Sequence, residues 1–224
     1  MIIAIDGPSG AGKSTVAKAV AKKLGFSCLD TGAMYRAVAW RAVQDGVPLD
    51  DDEALGRLAH SCVIEFGHVA GDPLPRRVFV DDVEVTEAIR TAEIDKAVSP
   101  TSAAPSVRAA LTDQQRRIGH AGDYVVEGRD IGTVVFPDAD LKVFLTASCE
   151  ERAHRRVRQN VDRGVGSIDY DEVLTDLKRR DDYDSSRETA PLMAAEDAIL
   201  IDSTGCYIEQ VIDRICELAR ERRP

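Results

Sequence analysis

The chain has 224 residues, 44% of them hydrophobic, and its 29 basic and 39 acidic side chains give a formal net charge of −10. That length supports one substantial core, and with no window of about 18 apolar residues a membrane-spanning helix is not expected. The acidic balance repels nucleic acid in bulk, yet arginines bunch in 152-RAHRRVR-158 and 179-RRDDYDSSR-187, a pattern that suits a small anionic ligand.

In chain order, short apolar runs alternate with helical patterns. Strands are predicted at 2–5, 27–30, 124–127, 141–146 and 198–202, each followed by a turn signal as buried parallel strands should be. Helices are predicted over 13–24, 33–45, 51–60, 103–119, 150–161, 169–182 and 206–221, an alternation that argues a doubly wound α/β sheet. Residues 61–87 break the rhythm: 62-CVIEF-66 and 77-RVFVDDVEV-85, separated by the Gly/Pro-rich 67-GHVAGDPLPR-76, read as a small antiparallel hairpin, followed by a helical 87–99. The opening 2-IIAID-6 is a strand rather than the apolar core of a leader, so a cytoplasmic location is expected. Cys28, Cys62, Cys149, Cys206 and Cys216 form no C-x-x-C pair and read as buried free thiols of a reducing compartment. The four histidines show no metal-ligand spacing.

The stretch 7-GPSGAGKST-15 matches G-x-x-x-x-G-K-[ST] with a strand before it and a helix after it. Gly7, Pro8, Ser9, Gly10, Ala11, Gly12, Lys13, Ser14 and Thr15 are therefore expected to hold a nucleoside triphosphate. Glycines let backbone N–H groups wrap a β-phosphate, and the helix N-terminus adds partial positive charge there. Lys13 neutralises the β/γ-phosphates and Ser14 faces Mg²⁺. No N-K-x-D guanine-reading motif is present, which turns the reading toward small-molecule phosphoryl transfer.

The strings 5-IDGPSGAGKST-15, 29-LDTGAMYRA-37, 126-VEGRDIGTVVFPDADLKVFLTAS-148, 151-ERAHRR-156 and 202-DST-204 resemble the bacterial cytidylate kinases almost end to end. The resemblance implies transfer of the γ-phosphoryl group of ATP to CMP or dCMP, with Mg²⁺, by a monomer that binds neither nucleic acid nor membrane. It implies a P-loop-type three-layer α/β/α fold with a five-stranded parallel sheet, a small antiparallel β insert and a helical lid. The single kinase domain is expected to have its core at about 1–35, 102–150 and 171–224, a monophosphate-binding insert at about 36–101 and a lid at about 151–170.

Arg36, just past a strand's carboxyl end, faces the usual ligand crevice, and the resemblance gives it the acceptor phosphate. It places the Thr31 hydroxyl at the base, Ser99 at the ribose and Arg108 at the base; Tyr35 either stacks on the base or simply packs. Arg129 is given the phosphate and Asp130 the cytosine. Glu127 either orients Mg²⁺ through water or is structural. Arg152, Arg155 and Arg156, at i, i+3 and i+4, share one helical face and would stabilise the transferring phosphoryl group. Arg180, Asp184 and Arg187 share a face if their helix persists past 185-SS-186, and the resemblance assigns them to the acceptor without apportioning base, ribose and phosphate. The stretch 202-DSTG-205 is expected to border the adenine. Two rivals remain: another kinase of the fold, such as an adenylate or shikimate kinase, against which 126-VEGRDIG-132 argues, and a nucleotide-dependent switch, against which the dense arginines argue.

Overall fold

The computed structural model describes residues 1–68 and 74–222. The chain divides into two compact units, Met1–Cys28 with Gly122–Pro224, and Leu29–Ala121.

The first unit is organised by a five-stranded sheet. Strands β1 (Ile2–Asp6), β2 (Ser27–Asp30), β6 (Tyr124–Glu127), β7 (Leu141–Thr146) and β8 (Ile199–Asp202) stand in the order β2-β6-β1-β7-β8. β2 carries the chain out of this unit into the second. The central strand β1 pairs in parallel with β6 (Ile3 opposite Val125) and with β7 (Ile3 opposite Leu141), and β7 pairs in parallel with β8. Ile3, Ile5, Val125, Val126, Val143 and Leu145 are fully or almost fully buried, which is why these strands read as unbroken apolar runs rather than alternating ones. Helices α1 (Lys13–Leu24) and α8 (Ile208–Arg222) pack on each other and on this sheet through Val16, Val20, Val211 and Ile215. Helices α6 (Cys149–Arg163) and α7 (Tyr170–Ser185) form a second small core around Ala153, Val173 and Leu177.

The second unit holds α2 (Thr31–Asp45), α3 (Asp52–Ser61), α4 (Ala92–Ala103) and α5 (Pro105–Gly119) with an antiparallel sheet in the order β3-β4-β5. The expected two-stranded hairpin has three strands: β3 (Ile64–His68), β4 (Pro75–Val80) and β5 (Val83–Glu84). The run 77–85 breaks at Asp81 and Asp82, both at positive φ, because two short acidic side chains tolerate the left-handed turn that β-branched residues refuse. The predicted connection 67–76 is shortened at both ends by strand residues, and 69–73 lie outside the described residues. The helix expected from 103 begins at Pro105, whose fixed φ suits a first helical position, and the one expected over 87–99 is a 3₁₀ turn (Ala88–Arg90) followed by α4. Among the five cysteines Cys28, Cys62 and Cys216 are buried as expected, but Cys206 is exposed and Cys149 half-buried.

In this unit α3 crosses α5 so closely that a Cβ on Gly56 would stand 2.4 Å from the Ser106 Cβ. Ser106 cannot step back, since its N–H and hydroxyl both donate to Asp52, at 3.0 and 2.7 Å. Gly56→Ala gains about 1 kcal/mol of helix propensity but meets an atom fixed to backbone, and overpacking costs about 1–3 kcal/mol. A lower midpoint in urea is expected; an unchanged or higher one would mean that the helices slide apart without cost.

Candidate active site

Most helices begin with a side-chain cap. Asp30 accepts from Ala33 N–H at 2.9 Å, Ser148 from Glu151 N–H at 3.1 Å and Asp169 from Glu172 N–H at 2.9 Å. Helix α1 differs: its cap is Gly12, at φ 93°, with no side chain to satisfy the first N–H groups. Those donors are left to the loop's interior, the arrangement by which helix N-termini bind phosphate. Gly7 and Gly10 are also at positive φ, which lets the loop curl back on its strand.

Lys13 opens α1, is buried, and donates from Nζ to Pro8 O at 2.8 Å. Burial, then the neighbouring Arg129, pushes its pKa below the ordinary lysine range; Glu127 and Asp6 pull it back and Arg180 lowers it further. Three sequence-predicted residues, Lys13, Arg129 and Arg180, are thereby brought together. The Ser14 hydroxyl donates to Glu127 Oε2 at 2.8 Å. A hydroxyl and a carboxylate at the mouth of a phosphate loop are the hard oxygen donors that fit Mg²⁺.

All three predicted arginines of α6 reach the same loop. Arg152 is buried; its Nη1 donates to Ser9 O at 3.0 Å, its Nε to Ala147 O at 3.0 Å, and it pairs with Asp181 at 2.6 Å. Arg155 Nη1 donates to Ala11 O at 3.4 Å and to Ser203 Oγ at 3.0 Å, its Nη2 to Ser203 O at 2.8 Å, and its Nε to Glu151 at 2.8 Å. Arg156 Nη2 donates to Ser9 Oγ at 3.1 Å. The loop is thus gripped from outside by α6, and Arg155 ties it to the 202-DST-204 stretch expected at the adenine. Arg152 spends its donors on protein acceptors and acts here as a strut for the loop.

Arg129 Nε donates to Asp184 Oδ2 at 3.1 Å, and Arg187 Nη2 lies 3.6 Å from Asp184 Oδ1. Helix α7 ends at Ser185, so Arg187 falls beyond it and does not share a helical face with Arg180 and Asp184; it returns to Asp184 through the last turn, its Nε donating to the Asp184 carbonyl at 3.2 Å. Asp184 is buried and holds two cations in register. Asp184→Ala leaves those guanidiniums facing each other, and removing one member of such a network costs about 3 kcal/mol. A thermal midpoint within about 2 °C of the wild type, against an expected drop of several degrees, would show that the cations part freely.

In the second unit Thr31 and Tyr35 are buried on the first turns of α2, and the Arg108 guanidinium stacks over the Tyr35 ring at 5.4 Å while donating to Ser102 O at 3.1 Å. Arg36 donates to Ile89 O at 3.0 Å and pairs with Asp95. Ser99 lies on α4, one turn along from Asp95. Tyr35 therefore packs with an arginine on its face, and Arg36 is oriented by α4, an element read from sequence as ending at 99.

Sequence reasoning missed Asp6, Asp95 and Asp181. Asp6 had a signal, a charge closing an otherwise apolar strand; Asp95 and Asp181 are ordinary helix acids whose partners only the fold reveals.

A parallel sheet whose central strand runs into an uncapped glycine loop, closed by a buried lysine and ringed by arginines, defines a P-loop phosphotransferase. Over residues 3–221 the chain matches the family model described as cytidylate kinase, and it belongs to the cytidylate kinase family. It is 49% identical to the cytidylate kinase of Desulfitobacterium hafniense over 98% of this chain and 93% of that one. It is 47% identical to the cytidylate kinase of Carboxydothermus hydrogenoformans, covering 97% and 96%. It is also 48% identical to a bifunctional pantoate ligase/cytidylate kinase of Trichormus variabilis, of which it spans 41%. A solved structure of an uncharacterized protein from Eubacterium ventriosum shares the fold alone, with a TM-score of 0.53 at 14% identity over 97% of each chain.

Proposed function

We infer that the protein transfers the γ-phosphoryl group of ATP to CMP or dCMP, yielding ADP and the nucleoside diphosphate. The observation that carries this reading is the concentration of cations at the loop: Lys13 beside Arg129 and Arg180, with Arg155 and Arg156 bonded to the loop itself. Phosphoryl transfer needs charge dispersal on both sides of the moving group rather than a strong base. An oxygen of the acceptor phosphate attacks the γ-phosphorus in line. Lys13 neutralises the donor's β/γ-oxygens, Arg129, Arg155 and Arg156 spread the charge that develops while Arg152 braces the loop, and the loop's N–H groups hold the donor still. Ser14, with Glu127 behind it, would hold Mg²⁺, which when bound neutralises part of the triphosphate charge.

On the acceptor side Arg36 and Arg129 are assigned to phosphate, Asp130, Thr31 and Arg108 to cytosine, Ser99 to the ribose, Tyr35 to the base's surroundings, and Arg180, Asp184 and Arg187 to the acceptor without apportioning base, ribose and phosphate among them. Residues 151–170 are assigned to the lid and about 36–101 to the monophosphate-binding insert of one kinase domain. The protein is read as a cytoplasmic monomer acting on free nucleotides, without nucleic-acid or membrane partners; among the described residues no helix is long and apolar enough to cross a membrane.

The test is ADP release from Mg-ATP with CMP, dCMP, UMP, AMP, GMP and shikimate offered separately. Fast turnover with CMP and dCMP, slow with UMP and none with the rest is expected. Preference for another acceptor would overturn the Asp130 and Arg108 assignments, and ADP release indifferent to every acceptor would favour a switch.

A further inference from the structure

We propose that Asp6 is a positioning residue for the acceptor: its carboxylate clamps the turn that follows Arg129 and Asp130, and so aims those two side chains. The inference rests on the reading of Arg129 and Asp130 as acceptor-binding residues.

Asp6 ends the central strand β1, immediately before the phosphate loop, and is buried. Its two oxygens do separate work. Oδ1 accepts from Ile131 N–H at 2.8 Å and Oδ2 from Gly132 N–H at 2.7 Å. These are the first two amides of a π-helical turn, Ile131–Val135, whose cap is Asp130 and which has no side-chain cap of its own. The free N–H groups that any helical turn leaves at its start are thus satisfied by a residue 125 and 126 positions away.

Two further ties of the turn lead back to Asp130. Its carbonyl accepts from Val134 N–H at 2.9 Å and from Val135 N–H at 3.2 Å. Lys142 and Asp6 close over the turn, so position 132 has little room for a side chain: a Cβ there would stand 3.1 Å from the Lys142 Cδ and 3.5 Å from Asp6 Oδ2. Single-turn π-segments are uncommon and concentrate at functional sites, where they re-aim a side chain. Here the clamp joins the root of the donor's loop to the backbone that presents Arg129 and Asp130.

The clamp is held at a cost. Burial, with Asp130 adding to it, raises Asp6 to about 6, against the opposing pull of the Gly132 and Ile131 amides and of Lys13. A buried carboxylate that the fold would rather see neutral, kept where it touches the machinery, is the pattern of a functional group.

Asp6→Asn tests this in the full chain. Asparagine offers one acceptor and one NH₂, so one of the two amides meets a donor and half of the clamp is lost. The expected result is a KM for CMP raised roughly ten- to a hundredfold, with the KM for ATP changed less than about threefold. Parallel rises in both constants, or an unchanged KM for CMP, would overturn the proposal. Asp130→Ala is measured beside it. If Asp130→Ala raises the KM for CMP and Asp6→Asn does not, the positioning role fails while the acceptor reading stands; if Asp130→Ala has no effect, the acceptor reading itself fails. Should Asp6→Asn not fold, hydrogen exchange in the wild-type protein decides. Ile131 and Gly132 amides protected by about a thousandfold or more, and slowed further by CMP but not by ATP alone, support the clamp. Unprotected amides, or slowing by ATP alone, overturn it.

Discussion

Lys13→Ala is expected to lower kcat about a thousandfold and to leave the protein at least as stable as the wild type. The first half follows from position: Lys13 opens α1 at the head of the phosphate loop, where removal of one preorganised charge or donor costs on the order of 10²–10³ in rate. The second half follows from the direction of its pKa. Burial and Arg129 hold the amine below its ordinary value of 10.5, so the folded state binds that proton less tightly than the unfolded chain does. The charge therefore opposes folding at neutral pH, and its removal relieves Arg129 and Arg180. The stability gap between variant and wild type should then close as pH rises through 10.5, above which neither state of the wild type holds the proton. ADP release and thermal melts across that range read both halves. A rate loss under tenfold would displace Lys13 from the reaction, and a melt several degrees lower would make it a structural brace.

Gly7→Ala should be the most damaging change of one methyl group in the chain. Gly7 is at φ 146°, and a Cβ there would stand 1.9 Å from the Leu145 carbonyl oxygen. Leu145 lies in β7, whose partner is β1, so the obstacle is sheet backbone and cannot rotate away. Backbone strain at such a φ costs about 1–3 kcal/mol and overpacking a similar amount, so a loss of about 4 kcal/mol is expected. Whatever shift relieves the clash moves the loop off its strand, so ATP affinity should fall about a hundredfold in the fraction that remains folded. Denaturant titration and nucleotide binding check this together. Near-native stability with near-native ATP affinity would mean that the loop has room that its geometry denies.

The sheet was legible because each strand is a short apolar run closed by Gly, Asp or Thr, and the central parallel strands β1, β6 and β7, largely buried, leave little alternation to confuse the reading. The phosphate loop was legible because its chemistry is local: nine consecutive residues set the turn, the cap and the charge. The α6 arginines were legible because helical period alone puts 152, 155 and 156 on one face. What escaped depends on partners far along the chain. The Ile131–Val135 turn has no local signature, since its stabilising side chain is Asp6. The span of α4 was hidden by Pro100, which a local reading takes as a stop although the helix runs to Ala103. Whether Arg187 shares the face of Arg180 and Asp184 stayed open because a helix end cannot be located from 185-SS-186 alone. The β4–β5 break was written in Asp81-Asp82, a turn dipeptide lost within an apolar run.

The strand order also dictates a timetable for biosynthesis. β1 leaves the ribosome before the other strands of its sheet, yet both of its neighbours, β6 and β7, lie more than a hundred residues downstream, as with Ile2 and its partner Tyr124. At roughly 5–20 residues per second the nascent chain waits on the order of ten seconds before its central strand can pair. During that interval the unit formed by Leu29–Ala121 can gather around its own helices, while 2-IIAID-6 remains an exposed apolar segment with two open edges. Such long-range parallel pairing is intrinsically slow, and this short apolar segment is where a chaperone would find its grip on the unfinished chain.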